Sequence, residues 1–454
     1  MKPNEINRRS FLKTGIMAAT SFSLPIIIPS HSWAGDNNTA PANRITIGFI
    51  GVGDRAFGAN ASGLLRGFLG LSGCRVLAVC DVNRRFADKA KAYVDQTYGN
   101  TDCAIYGDFR DILVRKDIDG VVIATPDHWH AVITVMACQH GKDIYCEKPL
   151  SRTIREARAV VEAARRYARV VQVGSHGRSS PIIRYACQVV REGGIGEVKK
   201  IIAVCGTPPV FWNRPPEPVP DYFDWDMWVG PAPWRPYNSA LVQPGNWRQN
   251  IDFAGGVMTD RGAHFYDVAH WGMGLDYSGP VEILPSDGKD DRMVTFKYAN
   301  GVEVIHPQVK NEWGRHDKYP IGTYFFGSEG TVYVHTWREI ATFEPESLGK
   351  AYYQDLKANN AIRNAEAVRN PQRDINSPVL TSDHMQNFLD CVRTRKRPNA
   401  DVDIARHSVI VPLLANIALY TSRHLRWNPE KEEFINDSDA NRYLDRPRRE
   451  PWTL

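Results

Sequence analysis

Gly51-Val52-Gly53-Asp54-Arg55-Ala56 follows directly on an apolar run, Arg44 to Ile50 (RITIGFI), and leads into Phe57 to Leu69, whose spacing predicts a helix. Few folds accommodate that order. It is the G-x-G-x-x-G/A pattern in the context it needs, a strand, a tight turn and a helix start. The first glycine permits the turn, the second lets a pyrophosphate approach the backbone, and the small third residue lets helix and strand pack closely. The free N–H groups of the helix then point at the phosphates. A second strand, Arg75 to Cys80, ends at Asp81. A carboxylate there accepts the hydroxyls of an adenosine ribose and repels a 2′-phosphate, which favours NAD over NADP. Arg84 and Arg85 follow closely and weaken that preference. Asp81 could instead cap the helix predicted over Asn83 to Val94.

The alternation continues. Asp119 to Ala124, Lys142 to Cys146 and Val170 to Val173 read as strands, separated by helices ending at Gln139 and spanning Ile154 to Tyr167. Such a pattern predicts a doubly wound parallel sheet with right-handed crossovers, and ligands at the carboxyl ends of its strands. The residues at that edge are Gly51, Val52, Gly53, Asp54, Arg55, Ala56, Asp81, Thr125, Pro126, His130, Glu147 and Lys148, and they form the expected cofactor set. His130 either lines the nicotinamide end or caps the helix after it. Beyond about residue 180 the alternation stops. Strand-like runs follow at Val198 to Cys205, Met293 to Tyr298, Val302 to Ile305, Tyr324 to Phe326 and Thr331 to Val334. A stretch rich in Pro and Trp, Pro208 to Gly245, reads as a long loop over the pocket. Helices return at Ser382 to Thr394 and Ile404 to Ser422, and the polar residues after 430 read as a surface tail.

The length, 454 residues, exceeds one ordinary core and fits two domains, 44–175 for the nucleotide and 176–430 for the substrate. A net charge of +5 is too small for a nucleic-acid binder. The basic runs Arg393 to Arg397 and Arg446 to Arg449 read as solvated surface. The eight cysteines lack metal-like spacing and read as small buried hydrophobes. Of the twelve tryptophans, several fall between Trp212 and Trp247, where an indole face could pack on a sugar or simply fill a core.

At the N-terminus, Arg8-Arg9-Ser10-Phe11-Leu12-Lys13 precedes a modest apolar stretch, Gly15 to Ile28, interrupted by Pro25. This resembles a twin-arginine export signal. Ser32-Trp33-Ala34 offers a small-residue cleavage site, so residues 1–34 read as a signal peptide and 35–43 as a linker. The stretch falls short of a spanning helix. The implied destination is the periplasm, with no stable membrane anchor and with the export machinery as a partner.

Together these segments resemble the Gfo/Idh/MocA oxidoreductases, among them glucose–fructose oxidoreductase and inositol dehydrogenase. The resemblance rests on IGFIGVGDRA, AVCDVN, YGDFRDIL, VVIATPDHWHA, the EKP of Glu147 to Pro149 and VVQVGSHGRS, and continues with GGVMTDRGAHFYDVAHW and FFGSEGTVYV. It spans roughly residues 44 to 430 and implies an α/β fold. An N-terminal Rossmann domain is followed by an α/β domain with a large, mostly antiparallel open sheet. Homo-oligomers are common in that superfamily.

The resemblance also implies a chemistry, NAD-dependent oxidation of a secondary hydroxyl of a sugar, polyol or glycoside. Lys148 reaches the substrate hydroxyl, and Asp260 and His264, four residues apart on one helix face, join it. Either Lys148 or His264 takes the proton. Burial and neighbouring positive charge lower a lysine's pKa, and a histidine titrates near the working range. His176, Arg178, Trp247 and Arg248 are candidate substrate contacts. A metal reading of Asp260, His264 and His176 lacks a complete ligand set, so no metal is expected. Glycoside cleavage through transient oxidation is the alternative, although the glycosidases that work so lack the EKP lysine and the DxxxH pair. A nucleotide-bound sensor without turnover is disfavoured by the intact Lys148, Asp260 and His264.

Overall fold

The first sheet has six parallel strands in the order β3-β2-β1-β4-β5-β6, comprising β1 (Ile45–Ile50), β2 (Cys74–Cys80), β3 (Ala104–Tyr106), β4 (Gly120–Ile123), β5 (Asp143–Cys146) and β6 (Val171–Val173). Four of the six read as nearly unbroken apolar runs because helices cover both faces of a parallel sheet. The computed structural model describes residues 43–57, 63–243, 245–350 and 379–454. The segment read as an export signal and nearly all of the linker lie outside them. The connecting helices are α1 (Asp54–Phe57), α2 (Leu64–Leu69), α3 (Arg84–Tyr98), α4 (Phe109–Leu113), α5 (Asp127–Gln139) and α6 (Ile154–Arg166). The glycine-turn helix therefore starts at Asp54, three residues earlier than its spacing predicts. Local chemistry sets other starts. Asn83 accepts the Arg85 N–H ahead of α3, and Thr153 with Glu156 closes a capping box on α6.

The second sheet has nine strands in the order β13-β12-β11-β7-β10-β9-β8-β14-β15. These are β7 (Val198–Val204), β8 (Glu282–Pro285), β9 (Arg292–Lys297), β10 (Glu303–Pro307), β11 (Gly322–Gly327), β12 (Thr331–His335), β13 (Ile340–Glu344), β14 (Leu425–Asn428) and β15 (Glu433–Phe434). Only β7 and β10 run parallel. Helices α7 (Pro181–Arg191) and α9 (Gly256–Met273) pack against it, and α8 (Trp225–Val229) lies in the Pro- and Trp-rich stretch.

The last two long helices, α10 (Val379–Thr394) and α11 (Val402–Thr421), return to the nucleotide domain. Met385, Phe388 and Leu389 share one core with Phe49, Phe68 and Tyr145. The Phe388 ring meets Phe68 at 6.3 Å and Tyr145 at 6.0 Å. Helix α11 packs against both α9 and α6. It is apolar enough by composition to cross a membrane, but most of its surface is buried in the core. The expected boundary between the domains is thus recrossed, because α10 completes the nucleotide domain's own core.

The tail after residue 430 is likewise anchored. Arg446 pairs with buried Glu156 at 2.9 Å, and Trp452 packs on Trp129 with ring centroids 4.7 Å apart. Neither basic run is simply solvated. Arg395 pairs with buried Asp143 at 2.6 Å, and Arg393 donates to the Gly73 carbonyl at 2.7 Å. All eight cysteines are buried and free.

Candidate active site

A cavity of about 840 Å³ runs along the carboxyl edge of the parallel sheet and ends against α9. At one end lies the glycine turn. Gly51 has φ +82°, and a side chain there would press within 2.8 Å of the Thr125 nitrogen. The turn is held by Asp81, whose two carboxylate oxygens accept the Val52 and Asn83 N–H groups, each at 2.8 Å. Burial pushes the Asp81 carboxyl up to about 6 against those two bonds. The helix cap is Asn83, so Asp81 keeps its remaining lone pairs for the cavity. Arg55 crosses to Glu147 at 2.7 Å and ties the turn to the strand end of β5. Burial opposes ionisation of Glu147, but the Arg55 guanidinium and the Lys148 ammonium outweigh it and hold this carboxyl below the usual range. His130 places its two ring nitrogens against the Pro149 and Thr125 carbonyls at 2.7 and 2.8 Å, joining the two loops that carry Thr125-Pro126 and Lys148.

At the other end the Lys148 ammonium donates to the Asp260 carboxylate at 2.7 Å and to its carbonyl at 3.0 Å. Arg248 lies 3.3 Å from the same carboxylate oxygen and spreads over Trp247, 4.4 Å from the ring centre. Burial alone would keep Asp260 protonated. Lys148 and Arg248 reverse that and hold it well below the usual carboxylate range. Asp260 and His264 sit one turn apart on α9. His264 is 2 % exposed, and its Nε2 has no hydrogen-bond partner. Burial, reinforced by Lys148 and His176, drives its pKa far down, so the imidazole is neutral. Its ring meets His176 at 5.1 Å and Trp337 at 5.6 Å. Burial, with Arg55 next, pushes His176 down to about 3.

Lys148, His176, Trp247, Arg248 and His264 all line the cavity. Arg178 does not. It is 3 % exposed and is claimed by Asp267 at 2.9 Å and Asp276 at 2.6 Å. Five residues after β6 the chain turns its side chain inward, and two carboxylates from α9 and the loop after it neutralise it. Arg178 is therefore a buried structural cation, correcting its expected place at the substrate. Trp225 and Trp228 stack at 4.9 Å within a small core with Phe253 and Tyr237, so most of the indole cluster is packing.

Several lining residues lie outside the expected cofactor and substrate sets, Trp337 and Asp127 among them. Trp337 follows β12 and had no motif to mark it. Asp127 opens α5, is 3 % exposed, and leaves Oδ2 without a partner. Burial pushes its carboxyl up to about 7 despite nearby Arg248. The only available signal was an acid in the first turn after Thr125-Pro126, which reads equally well as a favourable helix-dipole charge. Among the described residues no cluster of His, Cys, Asp and Glu could hold a metal ion.

The residues fit a dinucleotide. Gly51 leaves the close backbone approach that a side chain would fill, and Thr125 Oγ1, Asp127 Oδ2 and His264 Nε2 are buried without partners. The volume lies within the range of cofactor sites.

Comparison with known proteins agrees. The profile of the oxidoreductase family with an NAD-binding Rossmann fold (Gfo/Idh/MocA) matches residues 45–175, and that of the family's C-terminal alpha/beta domain matches 211–373 and 349–454. A glycosyl hydrolase family 109 protein of Shewanella sp. (strain W3-18-1) is 29% identical over 43% of this chain and 45% of its own. A levoglucosan dehydrogenase of Pseudarthrobacter phenanthrenivorans is 28% identical over 50% of this chain and 57% of its own. The chain thus spans about half the length of the curated relatives it matches. A solved levoglucosan dehydrogenase in complex with NADH and levoglucosan superposes with a TM-score of 0.58 at 20% identity, over 84% of this chain and 99% of that one. With both domains matched in order, the chain belongs to the Gfo/Idh/MocA family of NAD-binding oxidoreductases.

Proposed function

We propose that this enzyme oxidises a secondary hydroxyl of a sugar, polyol or glycoside, using NAD that it holds tightly. The observation that carries the reading is the pairing of Asp260 with Lys148, which lines the same cavity as neutral His264, whose Nε2 is free. When bound, the nicotinamide supplies the acceptor for hydride. The protein's part is positioning and proton transfer. Asp260 takes two of the three Lys148 donors and leaves the third for a substrate oxygen. His264, held neutral, accepts a second substrate hydroxyl and fixes the ring. Taking up the hydroxyl proton requires Lys148 as the neutral amine, whose two N–H groups stay with Asp260 while its lone pair faces the hydroxyl. Trp247 and Trp337 offer apolar faces to the sugar ring, and Arg248 screens Asp260.

A second reading, redox-neutral glycoside cleavage through transient oxidation, is favoured by Asp127. A buried carboxyl pushed to about 7 can give up or take a proton at neutral pH, as elimination of an aglycone requires. The twin arginines and the apolar stretch after them support export to the periplasm, where retained cofactor would be needed, and the open nine-stranded sheet supports a homo-oligomer.

The test is to purify the protein without residues 1–34, dialyse it, and identify released nucleotide by mass spectrometry. Sugars, polyols and glycosides are then added without free cofactor while absorbance at 340 nm is followed. Growth at 340 nm with a polyol or sugar supports the dehydrogenase. Aglycone release with no net change supports the second reading. Absence of any bound NAD(H), with no rebinding, refutes both.

A further inference from the structure

The Pro- and Trp-rich stretch does not simply hang over the substrate. Its middle part runs to the far end of the cavity, beyond Asp81, and pairs with the nucleotide domain backbone to backbone. The Arg84 N–H donates to the Tyr222 carbonyl at 2.8 Å, and the Asp224 N–H donates to the Val82 carbonyl at 2.9 Å, around an antiparallel bridge between Asn83 and Phe223. The Arg85 guanidinium lies 3.6 Å from the centre of the Tyr222 ring. Further along, the Trp129 indole N–H reaches the Met227 and Trp228 carbonyls at 3.1 Å, and His128 Nε2 bonds the Trp228 carbonyl at 2.9 Å. The segment therefore spans the gap between the loop after β2 and the start of α5, and Tyr222, Phe223 and Met227 face into the cavity there.

The NAD reading gives that gap an occupant. A carboxylate at the end of β2 takes the adenosine ribose, so the adenine lies just past Asp81, against the ends of the neighbouring strands. Gly107, Phe109 and Ile133 line this end from the nucleotide domain, and Tyr222, Phe223 and Met227 line it from the opposite side. Aromatic faces set across a slot suit a purine, which stacks on such rings irrespective of its polar edge.

The outer face of the segment is held by the end of the chain. The Arg449 N–H donates to the Pro231 carbonyl at 3.1 Å, and its guanidinium donates to the Gly230 carbonyl at 2.9 Å and the Asp226 carbonyl at 2.7 Å. Trp452 packs on Trp129 and on Phe109, behind the slot. Neither Arg449 nor Trp452 lines the cavity.

We propose that residues 222–229 form a roof over the adenosine half of NAD, latched from outside by Arg449 and Trp452, so that the dinucleotide leaves only when this roof lifts. The proposal rests on the NAD reading and deepens it, since it assigns the retention of cofactor to particular residues. Slow release follows from the geometry. The roof is tied on one side by the bridge to Val82 and Arg84, on the other by Trp129 and His128, and both ties must part together.

The experiment follows release of NADH from the full mature protein by its fluorescence, in the presence of excess NAD+ as trap. It also measures binding of ADP-ribose and of nicotinamide mononucleotide as separate halves. Phe223→Ala should speed NADH release and weaken ADP-ribose by about tenfold to a hundredfold, the value of one base–aromatic stack, and leave nicotinamide mononucleotide unchanged. Arg449→Ala, outside the cavity, should speed release of NADH while the melting temperature of the nucleotide-free protein stays near that of the parent. If the parent binds NADH and both variants release it at the parent rate, the roof is wrong although the NAD reading stands. Equal loss of both half-ligands in Phe223→Ala, with a lowered melting temperature, also overturns it, because that is general unfolding of the site. If the parent binds neither NADH nor ADP-ribose, the NAD reading itself falls, and the roof with it.

Discussion

Arg178→Met separates a structural cation from a substrate contact. The guanidinium is 3 % exposed, donates to both oxygens of Asp267 and to both of Asp276, and lies 5.1 Å from the centre of the Trp271 ring. Methionine keeps much of the volume and removes the charge, leaving Asp267 buried with Ser408 as its remaining partner. Breaking a buried pair from one side costs about 3–5 kcal/mol. With an unfolding entropy of about 2.1 cal/mol/K per residue over roughly 400 residues, that lowers the melting temperature by about 4–6 °C. The loss depends on pH. Burial already raises the Asp267 carboxyl despite Arg178, and without the cation it rises further. A carboxyl with a raised folded-state pKa contributes stability below the unfolded value, about 3.9, and loses it as pH climbs through the folded value. The deficit of Arg178→Met should therefore be larger at pH 8 than at pH 5, and Arg178→Met with Asp267→Asn should recover much of it. Thermal melts by circular dichroism at the two pH values measure this. A deficit under about 1 kcal/mol, the size of an exposed pair, combined with a raised KM for substrate, would refute the structural assignment.

Three further outcomes follow from the cavity. Lys148→Met should lower reduction of bound cofactor by about 10²–10⁴-fold, the usual worth of a positioned acid–base, while mass spectrometry still finds the nucleotide retained. Burial pushes the Asp127 carboxyl up to about 7, and its ionised form would attract the positively charged oxidised nicotinamide. The ratio of NAD+ to NADH affinity should therefore rise between pH 6 and 8, and Asp127→Asn should flatten it in calorimetric titrations. Asp81→Ala removes the carboxylate that repels a 2′-phosphate, and should narrow the preference for NAD over NADP by at least about tenfold, read from competitive binding of the two.

What could be read from the sequence followed the range of the interactions involved. The glycine turn and the strand ending at Asp81 are decided within a few residues, and their approximate position is visible in the order of side chains. Lys148, Asp260 and His264 could be brought together because a family resemblance supplied the long-range contact that their spacing alone does not. Arg178 failed for the opposite reason. Its two partners lie 89 and 98 residues away, and nothing near it says whether a charge after a strand faces in or out. The basic run ending at Arg449 looked solvated because its acceptors, carbonyls of residues 226 and 230, sit on the short α8 and its cap, too short to show a periodicity. Helix α10 was legible as a helix, but not the nucleotide-domain core it completes.

Helix α10 has a bearing on how the polypeptide is made. The aromatic side chain that packs against both Phe68 and Tyr145 is Phe388, so the nucleotide domain leaves the ribosome lacking a piece of its own interior. At about 5–20 residues per second that piece follows Tyr145, 243 residues earlier, by roughly 12–50 s. Until then the nascent nucleotide domain shows an uncovered apolar flank to holdases and to other nascent chains. Residues 45–175 expressed alone should keep that flank and aggregate, whereas co-expression with a separate fragment carrying α10 and α11 should restore solubility. Acquisition of the native state is in this sense a late event, waiting on residues 379–421.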